Sequence, residues 1–123
     1  MNEREPQYEL DVWTTFNGKT GEIRDGRRIV GVLPTNEKIV FEKLLQDEDL
    51  VVEYEALMDT LYGTGRRYDD VMEDKERLWS TIHNLRENIG DIDEKFRNRL
   101  VTIREVGYRW DSENMYRVQE GEL

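Results

Sequence analysis

The sequence predicts an α+β domain, with an N-terminal antiparallel sheet, three helices and a C-terminal β-hairpin. Three observations carry this. Residues 8–33 hold short β-prone runs separated by Asn-Gly and Asp-Gly steps. Residues 71–90 repeat Leu78, Ile82, Leu85 and Ile89 at helical spacing. LVTIREVGYRW, residues 100–110, reads as two strands around a tight turn. A chain of 123 residues supports one core. The expected organisation is a flexible N-terminus over 1–7, a folded domain over 8–111 and an acidic tail over 112–123.

YELDVWTTF (8–16) is expected to be one strand, with Leu10, Val12 and Thr14 on one face and Asp11, Trp13 and Thr15 on the other. NGKTG (17–21) supplies the turn, because Asn and Gly accept the positive φ that a tight hairpin needs. EIRDGRRIVGVLP (22–34) is a second hairpin bent at Asp25-Gly26. Pro34-Thr35-Asn36-Glu37 then starts a helix: a short polar cap precedes an acid near the positive helix end. Ile39, Val40, Phe41, Leu44 and Leu45 form its apolar stripe. QDEDLVV breaks it, and EYEALMDTLYG (53–63) is a shorter helix with Leu57, Met58, Leu61 and Tyr62 inward and Gly63 as stop. TGRRYDD (64–70) is a loop. VMEDKERLWSTIHNLRENIG (71–90) is the longest helix, closed by Gly90, and DIDEKFRN (91–98) links it to the hairpin. Two helices with a third behind them make a helix-turn-helix core, and a hairpin after the third helix makes such a core winged.

The net charge is −10. Acids crowd residues 1–23, 42–59 and the tail, whereas Lys95, Arg97, Arg99, Arg104 and Arg109 face one acid, Glu105, over 95–109. One cationic stretch on an anionic body raises the question of whether a polyanion docks there. Cysteine is absent, which excludes disulfides and thiolate metal sites and fits a cytoplasmic protein. There is no long apolar run and no secretory or transit signature, so no membrane partner is expected. A single histidine, His83, excludes a multi-histidine metal site. Asp47-Glu48-Asp49 and Asp69-Asp70 lack the spacing of a calcium loop. No phosphate loop or nucleophile elbow is present, so neither enzyme activity, catalytic residues nor a cofactor is expected.

The run from Val51 to Trp110 resembles the OmpR/PhoB-type winged helix, the DNA-binding domain of many bacterial response regulators. VVEYEALMDTLYG stands where that family has a valine pair, a short helix and a tryptophan-glycine end, with Tyr62 in the tryptophan place. LWSTIHNLRENIG matches the recognition helix through Ile82, Leu85 and Arg86. TIREVGYRW matches the wing through Val106, Gly107, Tyr108, Arg109 and Trp110. The N-terminal strands and Leu33-Pro34-Thr35 fit the preceding sheet and first helix. The likeness covers roughly residues 8–111, so a receiver domain is not expected.

The resemblance implies a third helix in the major groove and a wing arginine in the adjacent minor groove. The groove-facing positions fall on Glu76, Arg77, Ser80, Thr81, His83, Asn84 and Glu87, and the wing positions on Thr102 and Arg104. Asn84 can pair with adenine, and the Ser80 and Thr81 hydroxyls are permissive; alternatively these are polar residues on a solvated helix face. Arg104 suits a narrow minor groove; alternatively it lies along the surface beside an acid. Arg109 is structural or a phosphate contact. Arg66 and Arg67 correspond to a loop that touches DNA backbone or RNA polymerase, or form a solvated loop. His83 is a surface histidine, with groove contact second. Trp79 sits at the edge of the buried stripe and, if exposed, marks a partner contact.

The chain departs from the family where that family is basic. Residues 73–89 carry Lys75, Arg77 and Arg86 against Glu73, Asp74, Glu76 and Glu87, and Glu105 replaces the glycine common at the wing turn. Two readings follow. The first is a transcriptional regulator that binds double-stranded DNA, as a dimer or in tandem. The second is a protein-interaction module, such as a phage or mobile-element protein, whose acidic helix meets a basic host transcription or DNA-binding protein. A continuous positive band joining Arg77, Arg66, Arg67 and Arg104 would favour the first.

Overall fold

The computed structural model describes residues 6–65 and 71–116. Four short strands open the chain: β1 (Gln7–Glu9), β2 (Thr14–Asn17), β3 (Glu22–Asp25) and β4 (Arg28–Val32). They form an antiparallel meander in that order. Helix α1 (Thr35–Gln46) follows, then β5 (Val52–Glu53), α2 (Tyr54–Tyr62), α3 (Val71–Ile92) and α4 (Glu94–Arg99). The hairpin β6 (Leu100–Ile103) and β7 (Gly107–Trp110) closes the fold, and β5 pairs with β7 to give a second sheet in the order β5-β7-β6.

The expected strand over 8–16 is two strands around a bend. The Asp11 carboxylate accepts from the Trp13 amide at 2.8 Å and the Thr14 amide at 2.7 Å, and the Leu10 amide donates to the Thr14 carbonyl. A short carboxylate that satisfies backbone donors two and three residues on makes a local turn that competes with an extended strand. Val12 and Trp13 consequently both stand in solvent rather than on opposite faces. The next two turns lie where Asn17-Gly18 and Asp25-Gly26 put them, with Gly26 at φ 62°.

Further differences concern the helices. Pro34 caps α1 and no side chain does; Glu37, the first-turn acid, is buried and accepts from the Asn88 amide of α3. Helix α3 runs through Gly90 to Ile92. Gly90 therefore does not terminate the helix; the Arg97 guanidinium of α4 lies against it. The expected link over 91–98 contains α4, whose cap is the Asp93 carboxylate accepting from the Lys95 amide. Residues 113–116 make a further helical turn.

One core joins both sheets and all helices. Phe16 packs on Phe41 at 4.9 Å, Phe41 meets Trp110 edge-on at 5.0 Å, and Phe96 lies 6.4 Å from Trp110. These rings connect β2, α1, β7 and α4, and each is fully buried. Gly107 is required where β5 crosses the hairpin, because a Cβ there would fall 2.0 Å from the Val52 carbonyl oxygen.

Candidate nucleic-acid interface

Leu78, Ile82, Leu85 and Ile89 are all buried, as their spacing predicts, so one face of α3 is fixed against the core. The opposite face presents Glu73, Glu76, Arg77, Ser80, His83, Asn84 and Glu87 to solvent. Thr81, expected on that face, is buried instead. Its hydroxyl donates to the Arg77 carbonyl one turn back, which leaves it turned into its own helix. It lines a crevice with Asn36 of α1 and Tyr62 of α2, the two helices that flank α3 on that side.

The exposed face is nearly devoid of free positive charge. Arg77 donates to Glu73 at 2.8 Å and stands 3.9 Å from Asp74. Glu87 is held by Arg97 at 3.5 Å. Ser80 and Asn84 have no side-chain partner among the described residues and remain open to a ligand. Trp79 is 65 % exposed and stacks on His83, with ring centroids 5.6 Å apart and planes 10° from parallel. Its other edge lines a small crevice with Tyr54, Lys75, Leu78 and Tyr108, which places it on the hairpin side of α3.

The cationic stretch over 95–109 is not a cationic face. Lys95 pairs with Asp11 at 2.7 Å, and that hydrogen bond holds the ammonium above its ordinary value. Arg97 reaches Glu87 and Glu94. Arg99 is 1 % exposed and donates to the carbonyls of Asp111 and Leu10 while lying 4.6 Å over the Trp110 ring. Burial pushes its guanidinium below the ordinary value, though an arginine stays charged. Arg109 is bound by the buried Asp111 carboxylate, whose hydrogen bond holds the guanidinium up. Arg104 alone of the five is exposed and without a partner among the described residues.

Arg86 sets where the hairpin sits. Its Nε donates to the Leu100 carbonyl at 3.1 Å and its Nη2 to the Thr102 hydroxyl, while its guanidinium lies 5.8 Å over Tyr108. Thr102 is thereby engaged from within the chain. The turn beyond β6 spans 104–106, and Glu105 there adopts φ 65°, the left-handed conformation that the family's glycine would accept without cost. Arg66 and Arg67 lie outside the described residues, so the band that would favour DNA over a protein partner is not traced.

Solved structures share this arrangement. The C-terminal domain of the nisin resistance regulator NsrR, a lantibiotic response regulator, superposes with a TM-score of 0.63 and 25% identity, over 86% of this chain and 100% of that one. The DNA-binding domain of CpxR from E. coli gives 0.62 with 24% identity, over 87% and 97%. The DNA-binding domain of the response regulator AdeR, in complex with an intercistronic region, gives 0.62 with 16% identity, over 85% and 99%. The fold is the OmpR/PhoB-type winged helix. No protein-family model and no curated protein sequence matches the chain. In the winged-helix frame α3 takes the place of the recognition helix and the β6–β7 hairpin that of the wing. Sequence reasoning did not assign Lys75, an exposed cation without a partner among the described residues on the wing side of α3. It also placed Arg86 in the recognition-helix pattern without its role as the tie to the wing. No described helix is long and apolar enough to cross a membrane, and no described cluster of His, Asp or Glu is built to hold a metal ion.

Proposed function

We propose that this protein is a transcriptional regulator that reads double-stranded DNA, with the exposed face of α3 in the major groove and Arg104 of the wing in the adjacent minor groove. The observation that carries the reading is Arg104. In a stretch where four cations are consumed by internal pairs, the one at the wing turn is left free, and Ser80 and Asn84 on the exposed face of α3 are also free. An unpaired wing arginine together with an open polar helix face is what a two-groove reader needs. The likeness to DNA-binding domains, one of them solved on DNA, supports it. A single module with so few free cations binds weakly, so a dimer or tandem arrangement goes with this reading, as does a place in the cytoplasm with the DNA.

Selection from a randomised duplex pool at about 50 mM salt tests it, with Asn84→Ala and Arg104→Ala alongside wild type. Wild type is expected to enrich a motif that Asn84→Ala loses and Arg104→Ala weakens. No retention of any duplex at that salt would overturn the reading and turn the search toward basic proteins that meet Glu76 and its neighbours.

A further inference from the structure

We infer that the major-groove half of the operator is made of A·T steps, read through thymine methyl groups by Trp79 and His83 and through adenine by Asn84. The inference rests on the DNA reading above and adds the base class.

Trp79 with His83, and Ser80 with Asn84, are i, i+4 pairs on adjacent strips of α3, and all four residues are exposed. None is a permanent cation. The nearest arginines are each paired within the chain: Arg77 with Glu73 in a solvent-exposed pair, Arg86 with the wing backbone and Thr102, and Arg97 with Glu87. Guanine is most often read by an arginine or lysine donating to its O6 and N7, and this surface has no free arginine to do so. Lys75 is free and neighbours Trp79 one turn back, but it lines the crevices toward Tyr54 and the wing turn, on the side of α3 away from Ser80 and Asn84. The surface instead has an aromatic plane and an amide. In the major groove only thymine offers a methyl group, which suits an exposed ring, and only adenine offers the donor-acceptor pair that an Asn amide matches.

The stacking gives the plane its form. With the rings 10° from parallel, His83 supports Trp79 from the next turn and the two present one exposed aromatic surface. The same base preference suits Arg104, because A·T tracts narrow the minor groove and deepen its negative potential.

Uracil tests this directly, because it removes the 5-methyl group and changes nothing else on the pairing edge. Thymine is replaced by uracil, one position at a time, in the duplex that selection yields. Wild type is expected to lose about 3-fold to 10-fold in affinity at one or two positions. Trp79→Ala is expected to bind weaker by a similar factor and to become indifferent to uracil at those positions, whereas Asn84→Ala keeps the uracil effect. Thermal unfolding confirms that Trp79→Ala is folded, as expected for an exposed ring. A selected motif with guanine under α3, or a wild type indifferent to uracil throughout, would overturn the inference and leave DNA reading intact. Failure to enrich any motif would instead overturn the reading on which it rests.

Discussion

Arg86 of α3 donates to the Leu100 carbonyl at 3.1 Å and to the Thr102 hydroxyl of β6, and so fixes the wing against the recognition helix. Two bonds from one planar fork set a direction as well as a distance, which a single ammonium cannot do. Arg86→Lys is therefore expected to keep the charge and lose the registration. Its duplex affinity should fall about 10-fold with a stability loss of about 1 kcal/mol. Affinity for the selected duplex, read beside thermal unfolding, checks this. A lysine variant that binds like wild type would show that Arg86 contributes only charge.

Glu105 holds a left-handed backbone at the wing turn, φ 65°, with its carboxylate one residue from Arg104. Glycine relieves the conformational cost and removes a charge that repels phosphate. Glu105→Gly is expected to raise stability by about 0.5–1 kcal/mol and to tighten DNA binding several-fold. A variant that is both less stable and weaker on DNA would mean that the glutamate makes a favourable contact of its own.

Much of this architecture is legible in the sequence, and the exceptions have a common cause. The α3 stripe and the wing pattern are local or periodic features, and the chain states them directly. Which cation is free is not local. Lys95 finds Asp11, Arg99 finds the Leu10 carbonyl, and Arg97 finds Glu87, each across elements whose meeting only the tertiary fold decides. Counting charge over residues 95–109 therefore made a basic face of what is mostly internal bonding. Thr81 fails for a related reason. A wheel at 100° per residue places it beside Arg77, but α1 and α2 close over that edge of α3. Alternation places Asp11 on one face of a strand, but its carboxylate makes the turn.

That turn also gives the fold a dependence on acid. Burial pushes the Asp11 carboxyl up, but the hydrogen bonds from Lys95 and from the Trp13 and Thr14 amides outweigh it and hold the group below its ordinary value of 3.8. A carboxyl depressed in the folded state stabilises above its unfolded value, and that contribution is lost as pH falls through the folded one. Asp11→Asn keeps an oxygen for the turn and loses the charge toward Lys95. It is expected to be about 1 kcal/mol less stable than wild type at neutral pH, with the gap closing as pH falls below the ordinary carboxylate range. Urea unfolding at several pH values reads the gap; one that stays constant into strong acid would show that the Lys95 pair contributes nothing.

The most direct test of the account is the salt dependence of duplex binding by wild type, Arg104→Ala and Arg97→Ala, between about 50 and 200 mM salt. Arg104→Ala is expected to weaken binding and to flatten the plot of log affinity against log salt by about one phosphate contact. Arg97→Ala should leave that slope nearly unchanged, because its charge is spent on Glu87 and Glu94, and any loss of affinity should come from the Glu87 carboxylate that it uncovers. An unchanged slope in Arg104→Ala together with a flattened one in Arg97→Ala would put the DNA contact on the internally paired cations and contradict the account.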